Sequence, residues 1–290
     1  MPNLPFRGWL TFKAEADGVI AGRILNRLTQ IPGVPSLWLR YPFGSVETRV
    51  RYGIFDRAHY AYCVYAAADL AKRLGLNSIS AIELGVAGGR GLLALERIAK
   101  TVGDSLGIRI HVTGFDSGQG MPAATDYRDL PYVWGKGFYR MDVAKLKAEL
   151  SPDTELILGD LKDTIPSWIP KGSIGFVAFD LDYYSSTKTA FGLFENDDSS
   201  TRLPRTYCYF DDLIWPEHAC HSEYTGELCA INEFNREHDD KKLSPIHMFR
   251  HYRARQQAWN DQIYVLHDFK HPLYCKNITL SSEKHSQLPL

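Results

Sequence analysis

The most reactive-looking residues in this chain are acids that follow apolar runs. Asp180-Leu181-Asp182 comes directly after Ile174–Phe179, and Asp211-Asp212 comes directly after Arg205–Phe210. If both runs are neighbouring strands, their ends lie about 5 Å apart and the carboxylates converge. Uncompensated carboxylates in one cleft repel one another, and a hard divalent cation removes that repulsion. The plainer reading makes these acids caps and solvated loop residues. That reading leaves unexplained why two consecutive runs both end in an acidic pair.

Three earlier runs end in the same manner. The first gives Glu83-Leu84-Gly85-Val86-Ala87-Gly88-Gly89-Arg90-Gly91. Glycines let a backbone approach a ligand closely, and the helix that follows offers free N–H groups. The turn does not match G-x-G-x-x-G in register, which counts against a dinucleotide site. The second run ends at Asp116, in Gly114-Phe115-Asp116-Ser117-Gly118-Gln119-Gly120-Met121-Pro122. An acid here can accept from both ribose hydroxyls of a nucleoside, or close an Asx turn. The third gives Gly159-Asp160-Leu161-Lys162-Asp163-Thr164-Ile165-Pro166, where Asp160 can accept from an adenine amino group and Asp163 can cap a local turn.

The elements that must hold these residues alternate. Helices are expected over Asp56–Leu74 with Gly75 as C-cap, Gly89–Val102, Asp142–Leu150 and Glu227–His238. Strands are expected over Ser78–Leu84, Ile108–Phe115, Glu155–Leu158, Ile174–Phe179, Arg205–Phe210, Pro245–Arg250 and Gln262–Phe269. Alternation of this kind predicts an α/β fold with a mostly parallel sheet and helices on both faces, and ligands at the carboxyl ends of its strands. Residues 1–55, rich in Pro, Gly and Arg, read as an irregular extension with one short helix near Ala14–Leu28. Residues 56–290 form the main domain. The extension and the loop Asn196–Pro204 are expected to pack over the acceptor side.

Composition excludes several classes. With 33 basic and 34 acidic residues the net charge is −1, so no electrostatic nucleic-acid binder is expected. The cluster Arg250, Arg253, Arg255 reads as a solvated face, with a phosphate contact as the sharper alternative. The five cysteines, Cys63, Cys208, Cys220, Cys229 and Cys275, fit no disulfide framework, so reduced thiols and a cytoplasmic protein are expected. His218, Cys220, His221 and Cys229 lack a CxxC or paired HxxxH and read as packing rather than zinc ligands. Neither a secretory signal nor a membrane span is evident, so no membrane partner is expected. A homo-oligomer is compatible with everything in the sequence.

Taken in order, these segments resemble the macrocin O-methyltransferase family of class I S-adenosylmethionine (SAM) dependent methyltransferases. The family shows Asp-Ser-Phe-x-Gly-Leu-Pro, and Asp116 to Pro122 matches it with Gly118 in place of the aromatic. Its Gly-x-Phe-x-Asp-Thr-Leu-Pro is matched by Gly159 to Pro166, with Leu161 for Phe and Ile165 for Leu. Its Asp-x-Asp-x-Tyr-x-Ser-Thr is matched by Asp180, Asp182, Tyr184, Ser186 and Thr187, and its final Asp-Asp by Asp211-Asp212. The resemblance covers about residues 50–235. It implies a Rossmann-like methyltransferase fold with a seven-stranded sheet, and SAM as cofactor. Gly85, Gly88 and Gly89 would surround the methionine part, with Glu83 near its amino group. Asp116 would hold the ribose, with Ser117 and Asp160 completing the cofactor contacts. Asp180, Asp211 and Asp212 would bind Mg²⁺ or Mn²⁺. Asp182 would be a further ligand, a supporting group or a base.

The chemistry that follows is methylation of a small-molecule hydroxyl. A vicinal diol, in a sugar or a catechol, suits metal chelation best. Trp215, His218, His221, Tyr183 and Tyr184 neighbour the acids and are candidates to line the acceptor pocket, with His218 or His221 as a possible base. Two rival functions compete. Asp180-Leu181-Asp182 also resembles the Asp-x-Asp of metal-dependent nucleotide-sugar glycosyltransferases, which would not need the glycine turn and Asp116 in this order. A non-catalytic SAM-binding relative would not need four intact acids.

Overall fold

The computed structural model describes residue 22 and residues 24–279. Seven strands form one sheet in the order β3-β2-β1-β4-β5-β7-β6. They are β1 Ser78–Leu84, β2 Arg109–Asp116, β3 Glu155–Leu158, β4 Ser173–Phe179, β5 Arg202–Phe210, β6 Lys241–Pro245 and β7 Ile263–Asp268. The first five run parallel, and β7 pairs antiparallel with both β5 and β6. The fold is therefore Rossmann-like, mostly parallel with an antiparallel edge. The strand order reverses between β1 and β4, and an open parallel sheet leaves a ligand crevice at such a switch point.

Local sequence explains the flanking helices. The run Ala58–Leu74 (α1) has no Gly or Pro and stops at Gly75, whose left-handed backbone (φ 82°) returns its N–H to the Ala71 and Lys72 carbonyls. Arg90–Leu106 (α2) buries Leu92, Leu95, Ile98, Ala99 and Val102 along one stripe. These two helices cover one face of the sheet, with Tyr60, Ala67 and Leu95 in the core. On the other face lie Tyr184–Ala190 (α3) and Gly226–Glu237 (α4), where Phe179, Phe191, Phe194, Phe210 and Phe234 form an aromatic layer. Burial on both faces accounts for the unbroken apolar run of β4.

Several sequence expectations fail, each for a physical reason. The expected strand Pro245–Arg250 lies earlier, at Lys241–Pro245. It is an edge strand that tolerates lysines, held by Asn235, whose side chain bonds both N–H and C=O of Leu243 at 2.7 Å. Phe249–Tyr252 is a helical turn instead. The extension is less irregular than its composition suggests, since Val34–Arg40 and Val46–Tyr52 are helices, the second capped by Ser45 accepting from the Thr48 amide. Residues 24–28 are also helical, and the rest of the expected Ala14–Leu28 helix lies outside the described residues except for Gly22. Val50 of the extension joins the main core.

The loop Asn196–Thr201 precedes β5 and bonds the start of β4 through Ser173 and the Ser200 carbonyl (2.9 Å). It therefore sits at the amino ends of β4 and β5, opposite the acids at their carboxyl ends, and not over the acceptor side. Arg253 is not solvated. It stands 4.9–5.5 Å from the ring centres of Tyr62, Phe249 and Trp259 and donates to the Val50 carbonyl. All five cysteines are free. No described helix is long and apolar enough to cross a membrane.

Candidate active site

The parallel ladder brings five chain reversals into one row. Past the last strand residues, Gly85 N–H bonds the Phe115 carbonyl, Gly159 N–H that of Asp116, Asp180 N–H that of Leu84, and Asp211 N–H that of Phe179, all at 2.9–3.0 Å. Asp160, Asp116, the glycine turn, Asp180 and Asp211 thus follow one another along the carboxyl edge of β3, β2, β1, β4 and β5.

The glycine turn is tight for reasons that differ along it. Gly85 has φ 85°, and a Cβ there would lie 1.8 Å from the Asp180 carbonyl oxygen, so the turn after β1 presses against the end of β4. Gly89, also left-handed, precedes α2 without any side-chain cap. Gly88 is exposed, and a Cβ there would meet nothing within 4 Å. Free amides and open space at this point suit a close ligand. Asp116 holds the turn from the neighbouring strand: one carboxylate oxygen accepts from the Ala87 amide (2.8 Å), the other from the Gly118 amide (2.6 Å). It thus closes an Asx turn and clamps the glycine turn together.

Glu83, the last but one residue of β1, is 1% exposed. Its Oε1 accepts from the Tyr60 hydroxyl at 2.7 Å, while Oε2 is buried without a partner. Burial lifts its pKa to about 7, against the Tyr60 hydrogen bond and the Arg57 charge, which pull it down. The two remaining expected cofactor residues make local bonds. Ser117 Oγ donates to the Gly120 carbonyl. The Asp160 carboxylate accepts from the Lys162 amide as N-cap of the turn Leu161–Thr164, so the capping role expected of Asp163 belongs to Asp160.

The acids of β4 and β5 gather as expected, with a fifth that the motifs did not flag. Asp212 accepts from the Asp182 amide at 2.8 Å, and its own amide donates to Glu227 of α4 at 3.1 Å. Glu227 and Asp212 are buried, and Asp182 is held in a left-handed conformation (φ 58°). Asp211 accepts from the Tyr209 hydroxyl at 2.5 Å. Burial and then mutual repulsion push Asp180, Asp212 and Glu227 well above the ordinary carboxyl range. Asp182 rises to about 6, with burial the main cause and a hydrogen bond with Asp212 opposing it. An all-oxygen donor set of this charge fits a hard divalent cation. The carboxylates are not preorganised for one, since no described group of three His, Cys, Asp or Glu side chains adopts ligand geometry. His218, Cys220, His221 and Cys229 likewise form no such group.

The candidate acceptor residues divide. Trp215 is 72% exposed, and His218 is exposed on a short turn. His221 bonds the Trp215 carbonyl through Nε2. Tyr183 and Tyr184 are buried, their hydroxyls donating to the Pro122 carbonyl and to Glu233, so they brace the site from beneath. No motif points to Tyr139, half exposed with φ 57°, whose phenol pKa is raised by burial and by Asp182 and Asp212. Nor does one point to Arg57, whose guanidinium lies over the Tyr60 ring and whose pKa, against burial, is raised by the charges of Glu83, Asp180 and Asp211. Glu227 was visible only as the first residue of a helix.

No protein-family model matches the chain, and no curated relative does. Among solved structures the chain is similar to the calicheamicin methyltransferase CalS11, at 18% identity over 88% of this chain and 93% of that one, with a TM-score of 0.46. It is also similar to the O-methyltransferase TomG from Streptomyces achromogenes, involved in tomaymycin synthesis and solved with SAM. There the identity is 14% over 70% and 77% of the two chains, with a TM-score of 0.36. A third is the plantazolicin methyltransferase BpumL, solved with S-adenosylhomocysteine and a desmethyl analogue, at 10% identity over 86% and 98%, with a TM-score of 0.34.

Proposed function

We propose that the chain is a SAM-dependent O-methyltransferase that methylates a hydroxyl of a small-molecule vicinal diol with the help of Mg²⁺ or Mn²⁺. One observation carries the reading: an open glycine turn with a clamping Asp116 lies directly beside a cluster of five carboxylates, at the switch point of this sheet. A methyl donor and a metal-bound acceptor need adjacent sites of these two kinds.

SAM would supply an electrophilic methyl on a sulfonium, with a neutral thioether as leaving group. The residues on the glycine side bind and orient. Glu83 offers an unpartnered oxygen to a cation, and the free amides at the start of α2 face an anion. A divalent ion held by Asp180, Asp211 and Asp212 would lower the pKa of an acceptor hydroxyl. Asp182, whose amide donates to Asp212 within the same cluster, would take the hydroxyl proton. The pairing of free amides with Glu83 also favours an aminoacyl ligand over a nucleotide sugar.

Calorimetric titration tests the cofactor. S-adenosylhomocysteine should bind and raise the melting temperature, as a ligand of the native state must. A chain that binds a nucleotide sugar or NAD and ignores S-adenosylhomocysteine would overturn the proposal.

A further inference from the structure

Glu83 is a buried carboxylate with a single side-chain hydrogen bond. Tyr60 provides it from α1, outside every motif of the glycine turn. The Tyr60 ring is fully buried and packs edge-on against Phe176 (5.4 Å) and Tyr209 (5.8 Å), with the Arg57 guanidinium over its face (5.1 Å). A ring so enclosed has one position. From below, Gly91 admits the carboxylate only because it lacks a Cβ, which would stand 1.7 Å from Oε1. The head of Glu83 is therefore fixed on two sides, and its remaining oxygen, Oε2, has no partner.

We propose that Tyr60 is a positioning residue of the cofactor site, holding Oε1 of Glu83 so that Oε2 is presented to the ammonium of an aminoacyl ligand. The inference rests on the SAM reading and adds a residue to it. Charge around the site agrees. Tyr60 and the Arg57 cation face Glu83 from α1 and its N-cap, while Asp116 of β2 and Asp180 and Asp211 beyond β4 and β5 supply three further acids. An ammonium gives the unpartnered oxygen its missing donor.

Two ligands separate positioning from mere support. S-adenosylhomocysteine carries the aminoacyl part, and 5′-methylthioadenosine lacks it. Tyr60→Phe should weaken S-adenosylhomocysteine about tenfold, the usual size for a charge-assisted hydrogen bond, and leave 5′-methylthioadenosine within about twofold. In a Glu83→Gln background the same substitution should have no further effect, because Tyr60 acts through Glu83. Tyr62→Phe removes another phenol of α1 and serves as the control, unchanged for both ligands. Equal weakening of both ligands by Tyr60→Phe, or of neither, overturns the proposal. A wild type that binds neither ligand defeats the cofactor reading instead.

Discussion

Gly85 and Gly88 lie in the same turn, yet their alanine variants should fail in opposite ways. At Gly85 the backbone is left-handed (φ 85°), which an L side chain resists by about 1–2 kcal/mol. The new Cβ would also stand 1.8 Å from the Asp180 oxygen and 2.8 Å from its carbonyl carbon. Those atoms are backbone, so relief requires β1 and β4 to part at the switch point, and overpacking of this kind adds about 1–3 kcal/mol. Together Gly85→Ala should lose about 2–5 kcal/mol, a large share of the roughly 5–15 kcal/mol of an ordinary domain. At Gly88 the φ is not positive and a Cβ meets only open space. Stability should change by no more than about 0.5 kcal/mol, as for a featureless surface site. The methyl would instead occupy the space assigned to the cofactor, and S-adenosylhomocysteine affinity should fall. Urea unfolding at constant slope measures the first effect and calorimetric titration the second. A Gly85→Ala chain as stable as wild type, or a Gly88→Ala chain with intact binding, would refute the steric reasoning.

Two further outcomes follow from the acids. The pKa of Glu83 in the folded chain is about 7, above its ordinary 4.5, so its protonated form favours folding. That contribution is complete below pH 4.5 and is lost as pH rises through 7. Relative to wild type, Glu83→Gln should therefore gain about 2 kcal/mol of stability between pH 5.5 and pH 8 without ligand, and a flat difference in urea midpoints would contradict the shift. Stripping with EDTA should abolish methyl transfer and Mg²⁺ should restore it, while Asp211→Asn should lose most turnover and keep S-adenosylhomocysteine binding; full activity in excess EDTA would remove the metal from the mechanism.

Much of this architecture is legible in the residues. Ser78–Leu84 and Glu155–Leu158 are strands to the residue, because each is a short apolar run bounded by turn formers. The convergence of Asp180 with Asp211 follows from β4 and β5 being neighbours, which alternation of strands and helices already implied. What stayed hidden depends on contacts between distant segments. Tyr60 reads as one more aromatic in a Tyr-rich helix until β1 places Glu83 against it. Glu227 looks like a helix-start acid until its carboxylate meets the Asp212 amide. The polarity of Asn196–Thr201 reads as a functional loop, whereas its place before β5 assigns it to the amino ends of the strands, away from the acids.

The Arg253 contact carries a consequence for the order in which the chain matures. Its guanidinium fastens the Val50 carbonyl across a separation of 203 residues, and its aromatic enclosure needs Phe249 and Trp259 as well. During synthesis the Val46–Tyr52 helix therefore emerges long before its partner exists. At the usual elongation speed of about 5–20 residues per second, that interval is roughly 10–40 s. Over that time Val50 and Tyr52, buried in the finished protein, have no completed surface to pack against. The Arg253 clamp on the Val46–Tyr52 helix is thus among the last contacts of the fold to close during synthesis.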